Sequence, residues 1–258
     1  MSRRGRLTAG ICAFAAFLSL AGGAYLLRGV ALEWWWIGKL ASRNEDELRE
    51  AIEKLGGLRS RRAIPHLVRI YQDRKDETAM GFRWIARLVA GAALQIGPDA
   101  VVQLARTTGG GEKAMEQLAS DLSWDVEGAA VLLRCAEAED GSVFAVAVRS
   151  LALKASRQEA GAVMATLLAA LESPSERVRR AAAIALANER PRVEAVRRAM
   201  AEALEDHDPA VRLAAVKAIG NPPVGGHISR LHSAEIARCV SPALIAALRD
   251  PSSKVRFH

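Results

Sequence analysis

A phrase that recurs near the C-terminus limits the folds open to this chain. Residues 171–186 read LESPSERVRRAAAIAL, residues 204–219 read LEDHDPAVRLAAVKAI, and a third copy begins at residue 248 with LRDPSSKVR. Each copy closes one apolar helix, turns, and begins a second helix rich in alanine. A unit of this kind cannot bury its apolar face alone, so it must stack against its neighbours. The sequence therefore predicts an all-α solenoid of stacked antiparallel helix pairs.

The spacing of the copies gives the length of one unit and reveals an insertion. Val178 and Val211 lie at the start of the alanine-rich helix in two copies, 33 residues apart. From Val211 to Val255 the step is 44 residues, and the loop NPPVGG at 221–226 accounts for the excess. Such an insertion is either part of a binding face or a slack connector. Weaker copies of the apolar pattern include Val143, Leu88 and Leu48.

Side chains at the turns predict helix starts independently of the apolar pattern. Asp208 followed by Pro209 is typical of an N-cap with proline in the first helical turn. Ser173 and Glu176 fit a capping box. Apolar residues make up 50% of the chain but aromatics only 5%, and no run has the character of a strand. These features favour small-residue helix packing without a sheet.

The units resemble HEAT repeats, in the short alanine-rich form also seen in phycobilisome-lyase-type repeats. The resemblance is clearest over 158–220 and 235–256 and weaker over 32–156, so residues 31–258 are assigned to one HEAT-like domain. In that family an Asp in the turn and an Arg six residues later form a ladder between neighbouring repeats. The resemblance implies that Asp206 with Arg212, and Asp250 with Arg256, have this structural role. Ser173 stands where the Asp ahead of Arg179 is expected.

The N-terminal segment predicts a membrane anchor. Leu7 to Leu27 contain no charge, and 21 helical residues span about 31 Å, enough to cross a bilayer. Three arginines precede the segment, which places the N-terminus in the cytoplasm and the body outside, or in the periplasm, of a bacterial cell. We therefore assign residues 1–30 to an N-terminal membrane anchor or signal segment whose apolar helix covers 7–27. A signal peptide cleaved near Ala21–Ala24 and a buried helix of a soluble protein remain alternatives.

Three consecutive tryptophans follow this segment. Trp34, Trp35 and Trp36 are typical of an aromatic belt at a membrane interface, and they are equally suited to cover the open end of a solenoid core. The sequence does not separate these two interpretations.

The charge distribution gives weak support for a nucleic-acid partner. The net charge is +7, of which the first 39 residues contribute +4, so the remaining chain is nearly balanced. A cluster of arginines is either a solvated face or a docking patch for an acidic protein or lipid. Its members, beside the ladder residue Arg179, are Arg177, Arg180, Arg190, Arg192, Arg197 and Arg198.

Motifs for catalysis are absent from the sequence. The five histidines show no HExxH pattern, and the three cysteines have no metal-ligand spacing. Residues 109–113 read GGGEK, which is not a P-loop. We expect no enzyme activity, no metal and no cofactor.

The expected function is that of a membrane-anchored scaffold that binds another protein. Two other classes stay open: a lyase-type, chromophore-handling protein and a nucleic-acid-binding solenoid. The third copy stops at His258, early in its second helix, which predicts docking of this end on a partner or on a second copy of the chain.

Overall fold

The computed structural model describes residues 29–74, 83–124, 128–156, 161–188, 194–220, 245 and 248–256. These residues form helices and turns, with no strand among them. The predicted anchor at 7–27 and the loop at 221–226 lie outside the described residues.

Helix α1 covers 29–39. The later helices are α2 (Glu45–Gly57), α3 (Ile64–Arg74), α4 (Arg83–Ile96), α5 (Pro98–Arg106), α6 (Glu112–Leu122), α7 (Ala129–Cys135), α8 (Gly141–Ala155), α9 (Gly161–Leu171), α10 (Glu176–Asn188), α11 (Glu194–Ala203), α12 (Pro209–Gly220) and α13 (Ser253–Arg256), with a short 3-10 turn at Arg61–Ala63.

Capping residues fix where several helices begin. The Asn44 side chain accepts a hydrogen bond from the amide of Asp46, and Asp140 accepts one from the amide of Ser142. Asp208 accepts one from the amide of Ala210 at 2.9 Å, so it is the N-cap of α12. Between α4 and α5 the chain turns at Gly97, whose φ of 133° is strained for any residue with a side chain.

The helices form two layers in which alternate helices stack in chain order. In one layer α2 packs against α4, α4 against α6, and the series continues through α8, α10 and α12 to α13. In the other layer α3, α5, α7, α9 and α11 pack in the same serial manner. Neighbouring helices along the chain join the layers, as α9 does with α10 and α11 with α12. This order of contacts is that of a repeat solenoid, so the predicted fold class is confirmed for the described residues.

Small apolar side chains allow the layers to approach closely. Ala181, Ala182 and Ala183 of α10 are fully buried, and so is Leu186 one turn later. The buried apolar residues form one cluster that runs from Ile37 to Val255. Continuous burial along the array supplies the stabilisation that one helix pair lacks, at roughly 25 cal/mol per Å² of apolar surface.

Helix α1 is docked onto the first unit. Ile37 is buried in the core and Trp36 is half-buried against it. Glu33 of α1 forms an ion pair of 2.7 Å with Arg62, and Lys39 forms one of 2.9 Å with Glu47. Among the described helices, none combines the length and apolar character needed to cross a bilayer.

Candidate interaction surface

The turns of the last three copies are joined by bidentate arginine–aspartate pairs, here called the Arg/Asp ladder. Arg179 Nε and one of its terminal nitrogens donate to the two carboxylate oxygens of Asp206 at 2.8 and 3.2 Å. Arg212 makes the same pair with Asp250 at 2.5 and 2.9 Å. Each arginine lies in the first turn of the alanine-rich helix of one unit, and each aspartate lies in the turn of the next. The ladder therefore joins α10 to the turn before α12, and α12 to the turn before α13.

The same arginines also hold the turn of their own unit. The other terminal nitrogen of Arg212 donates to the carbonyl oxygens of Asp206 and His207 at 2.8 and 2.9 Å. Arg256 repeats this contact with the carbonyl oxygens of Asp250 and Pro251. The six-residue spacing of Asp and Arg thus places the guanidinium over carbonyl oxygens of its own turn, while the aspartate carboxylate pairs with the preceding unit.

The electrostatics of the ladder favour the charged forms. For Asp250, the hydrogen bonds from Arg212 keep the carboxyl pKa below its ordinary value of 3.8 despite burial. For Asp206, burial opposes ionisation, but the hydrogen bonds from Arg179 and from the amide of Asp208 outweigh it, and the pKa is again lowered. The guanidinium pKa values of Arg179 and Arg212 are raised by these same carboxylates.

Ser173 marks a change in how the units are joined. Its hydroxyl oxygen accepts from the amide of Ser175, as an aspartate would within the turn, but it carries no charge to receive an arginine. Phe144 occupies the position of Arg179 one unit earlier, 35 residues before it. Instead Arg177 of α10 donates backwards to the carbonyl oxygen of Ala138, in the turn before α8.

Earlier units use a different contact, which was not predicted from the sequence. The Arg49 guanidinium of α2 lies 5.0 Å from the ring centre of Trp84 in α4, and that of Arg87 in α4 lies 4.0 Å from the ring centre of Trp124 after α6. These are cation–π contacts between successive helices of one layer. A signal was present, because the two arginines are 38 residues apart and the two tryptophans 40.

The predicted arginine patch is divided between helices and layers. Arg180 of α10 pairs with Asp208 at 2.8 Å, and Arg177 is held by Ala138 as described. Arg197 and the exposed Arg198 belong to α11, in the other layer. Arg190 and Arg192 lie outside the described residues. These contacts indicate that Arg177 and Arg180 help to link neighbouring units.

The three tryptophans of α1 have two different environments. Trp34 and Trp35 are 57% and 54% exposed, whereas Trp36 packs against the core. The rings of Trp35 and Trp36 meet edge to face with their centres 4.4 Å apart, and Lys39 Nζ lies 5.6 Å from the Trp35 ring centre. Trp36 thus covers the first unit, while Trp34 and Trp35 present aromatic surface to the outside.

A groove lies between the turn after α9 and the turn after α11, with a volume of about 370 Å³. Leu171, Ala199, Ala203 and Val211 supply its apolar lining. Its polar lining comprises Glu172, Glu202, Glu205, His207 and the first ladder pair, Arg179 and Asp206. We call this the acidic groove. The groove was not predicted from the sequence, although Glu172 and Glu205 occupy the same position in successive copies of the phrase.

The described residues contain no cluster of three His, Cys, Asp or Glu side chains suited to hold a metal ion. Cys135 is buried, and burial, followed by the nearby Asp99 charge, raises the pKa of its thiol to about 12. A thiol in this state is a poor nucleophile. Cys12 and Cys239 lie outside the described residues.

Comparison with known proteins agrees with this architecture in one part of the chain. Residues 164–231 match a family model for HEAT repeats, so the HEAT resemblance predicted from the recurring phrase is confirmed there. The more specific relation to phycobilisome-lyase-type repeats stays a prediction. No curated protein matches the chain.

Among solved structures, the chain is similar to designed repeat proteins. A designed armadillo repeat protein, YIII(Dq)4CqI, is 19% identical, with 86% of this chain and 94% of that chain covered and a TM-score of 0.38. Another, YIII(Dq.V1)4CPAF in complex with the peptide (KR)4, is 18% identical over 86% and 94% of the two chains, with a TM-score of 0.39. The TM-scores are low, and the fold assignment rests on the helix contacts described above.

Proposed function

We propose that this protein is a membrane-anchored scaffold that binds another protein and catalyses no reaction. The observation that carries the proposal is the serial packing of alternate helices into two layers. Such an array presents the faces of several helices as one extended surface, and repeat proteins use surfaces of this kind for binding. The match of 164–231 to HEAT repeats supports the same proposal.

The membrane part of the proposal is supported by the sequence of residues 7–27 and by α1. Trp34 and Trp35 follow the uncharged segment within a few residues and are more than half exposed. Indole rings favour the headgroup region, because an apolar ring there keeps its N–H in contact with water. Since α1 is docked on the first unit through Trp36 and Ile37, an anchor at 7–27 would hold the solenoid close to the bilayer.

The binding part is tested by affinity capture of the tagged full-length chain from native membranes, followed by mass spectrometry. The decisive comparison uses Ala182→Asp, which buries an unpaired charge at a fully buried position of α10 and disrupts the stack. Glu53→Gln on the exposed face of α2 is the control. We expect a partner enriched with the unaltered chain and with Glu53→Gln but not with Ala182→Asp. Equal recovery by all three, or no enrichment, would reject the proposed function.

The anchor is tested separately by membrane fractionation followed by extraction at alkaline pH. We expect the full-length chain to stay with the lipid after this treatment, since an apolar spanning helix resists it. Release of the intact chain into the soluble fraction would reject the anchor and leave the binding proposal untouched.

A further inference from the structure

The carboxylates of the acidic groove are not neutralised by their surroundings. The basic side chains in its wall are Arg179 and His207, and the charge of Arg179 is already paired with Asp206. Glu172, Glu202 and Glu205 are exposed, and within the described residues their side chains form no hydrogen bond or ion pair. The groove therefore has a negative local potential in a chain whose net charge is +7.

The lining restricts the chemistry of an occupant. The glutamates would repel an anion, and no three acidic or imidazole side chains in the described part of the chain converge as metal ligands. Apolar contacts from Leu171, Ala199 and Ala203 lie next to the carboxylates. A lysine or arginine side chain suits both parts, because it has an apolar stem and a charged head.

The register of the repeats indicates how such a side chain arrives. Glu172 and Glu205 are equivalent positions one unit apart, so both lie on the edge of the solenoid where the helix pairs turn. An extended segment that runs along this edge crosses the groove and presents a side chain to it. The segment needs no folded structure of its own, because the solenoid supplies both the apolar lining and the carboxylates.

We propose that the acidic groove binds a lysine or arginine side chain of an extended basic segment in the partner protein. The inference rests on the proposed scaffold function and names the chemistry of its partner. Glu172, Glu202 and Glu205 supply the charge that selects the segment, and the apolar lining receives the stem of its basic side chain. The Arg179–Asp206 pair holds the two sides of the groove at a fixed separation.

The test uses fluorescein-labelled tetra-arginine as the probe and fluorescence anisotropy of the full-length chain in detergent. The groove variant is Glu202→Gln with Glu205→Gln. The matched control is Glu50→Gln with Glu53→Gln on α2, which changes the net charge of the chain by the same amount at an exposed site elsewhere. Thermal melting of both variants establishes that they are folded. Labelled tetra-glutamate serves as the probe of opposite charge.

We expect the groove variant to bind tetra-arginine about tenfold more weakly than the unaltered chain, and the control to differ by less than about twofold. Binding should weaken as salt is raised, because the interaction is between charges. Tetra-glutamate should not bind. Equal weakening by both variants, or no weakening, would overturn the assignment of the groove.

A second measurement separates failure of this inference from failure of the proposed function. If a partner identified by capture still binds the groove variant with unchanged affinity, the groove is not its site, although the scaffold function stands. If capture yields no partner while the tetra-arginine result holds, the groove assignment stands and the scaffold proposal fails.

Discussion

Neighbouring units are joined by different contacts in the N-terminal and C-terminal regions of this solenoid. From α2 to α6 the successive helices of one layer are linked by arginines stacked on tryptophans, Arg49 on Trp84 and Arg87 on Trp124. From α10 to α13 the links are bidentate pairs, Arg179 with Asp206 and Arg212 with Asp250. In both regions a guanidinium reaches forward to the next unit, but its acceptor is an aromatic ring in one and a carboxylate in the other.

The contrast shows that the side chains that link the units can differ along the chain while the apolar core stays continuous. An indole ring does not titrate, whereas a carboxylate loses its charge in acid, so the two kinds of link should differ in their response to pH. A carboxylate held by several donors is also more sensitive to the removal of one partner than a half-exposed ring. Four predictions test this contrast, in order of decreasing effect.

The largest effect is expected from the buried carboxylate of the N-terminal region. Asp121 accepts from Tyr71 Oη at 3.1 Å and from Gln117, lies 3.9 Å from Arg87 Nε, and has no exposed side-chain surface. We expect Asp121→Ala to lower the free energy of unfolding by about 3 kcal/mol, because it leaves buried donors without an acceptor. Urea denaturation followed by circular dichroism measures the loss.

Two variants control for the position and the charge of Asp121. Asp121→Asn keeps an acceptor oxygen and should lose less stability. Asp99→Ala, at an exposed carboxylate of α5, should change stability by less than about 0.5 kcal/mol. A loss below about 1 kcal/mol for Asp121→Ala would show that the N-terminal region does not depend on this carboxylate.

The second prediction concerns the coupling within one ladder pair. A double-mutant cycle with Arg212→Ala and Asp250→Ala should give a coupling energy of about 2 kcal/mol, since both side chains are largely buried, at 14% and 7% exposed, and the pair is bidentate. Chemical denaturation of the four chains supplies the data. A coupling energy near zero would mean that Arg212 acts through the carbonyl oxygens of its own turn alone.

The third prediction is that the C-terminal region loses stability in acid. The pKa values of Asp206 and Asp250 are lowered in the folded state, so their contribution is present above about pH 4 and is lost as the pH falls through the folded-state values. Amide exchange of α12, corrected for intrinsic rates, should accelerate below pH 4. The effect should be smaller than that of deleting the pair, because a protonated carboxyl still accepts hydrogen bonds.

A chain with Asp206→Asn and Asp250→Asn provides the control for acid sensitivity. This chain lacks both titrating groups, so its α12 exchange should change little over the same pH range. If the substituted and unaltered chains respond to acid alike, other carboxylates control the stability of the C-terminal region.

The smallest effect is expected from the cation–π contact of Arg49 with Trp84. A cycle with Arg49→Ala and Trp84→Leu should give a coupling energy of about 0.5 kcal/mol, because the guanidinium remains in contact with water. The same denaturation measurement applies. A coupling equal to that of Arg212 with Asp250 would remove the energetic contrast between the two regions.

The sequence predicts the packing of the C-terminal units well, because the buried apolar residues recur at the same spacing in each copy of the phrase. Val178, Ala181 and Leu186 repeat as Val211, Ala214 and Ile219, and small or branched side chains at those spacings are buried or half-buried in α10 and α12. The family resemblance implied a ladder of turn aspartates and arginines but not its connectivity, because spacing within one turn does not show which neighbour a carboxylate faces.

The N-terminal links and the acidic groove were harder to predict for a physical reason. Arg49 and Trp84 belong to helices separated by a third helix, so their contact depends on the rotation of two helices relative to each other. Glu202 comes from the surface of α11, whereas Glu172 follows the end of α9, and only the stacking of units brings them to one groove. Surface charges carry no apolar periodicity by which such a meeting can be recognised.

The two sets of hydrogen bonds made by Arg212 have a consequence for the evolution of such a repeat array. The Arg212 guanidinium binds the backbone of its own turn and the carboxylate of the following turn, and Asp206 in the same copy receives Arg179 of the preceding one. The copy at 204–219 therefore carries both the arginine that binds its successor and the aspartate that binds its predecessor. A duplicated copy of this stretch of coding sequence would already encode both the arginine and the aspartate of the ladder. Arrays held together in this way can lengthen by whole copies without any new residue having to evolve at the seam.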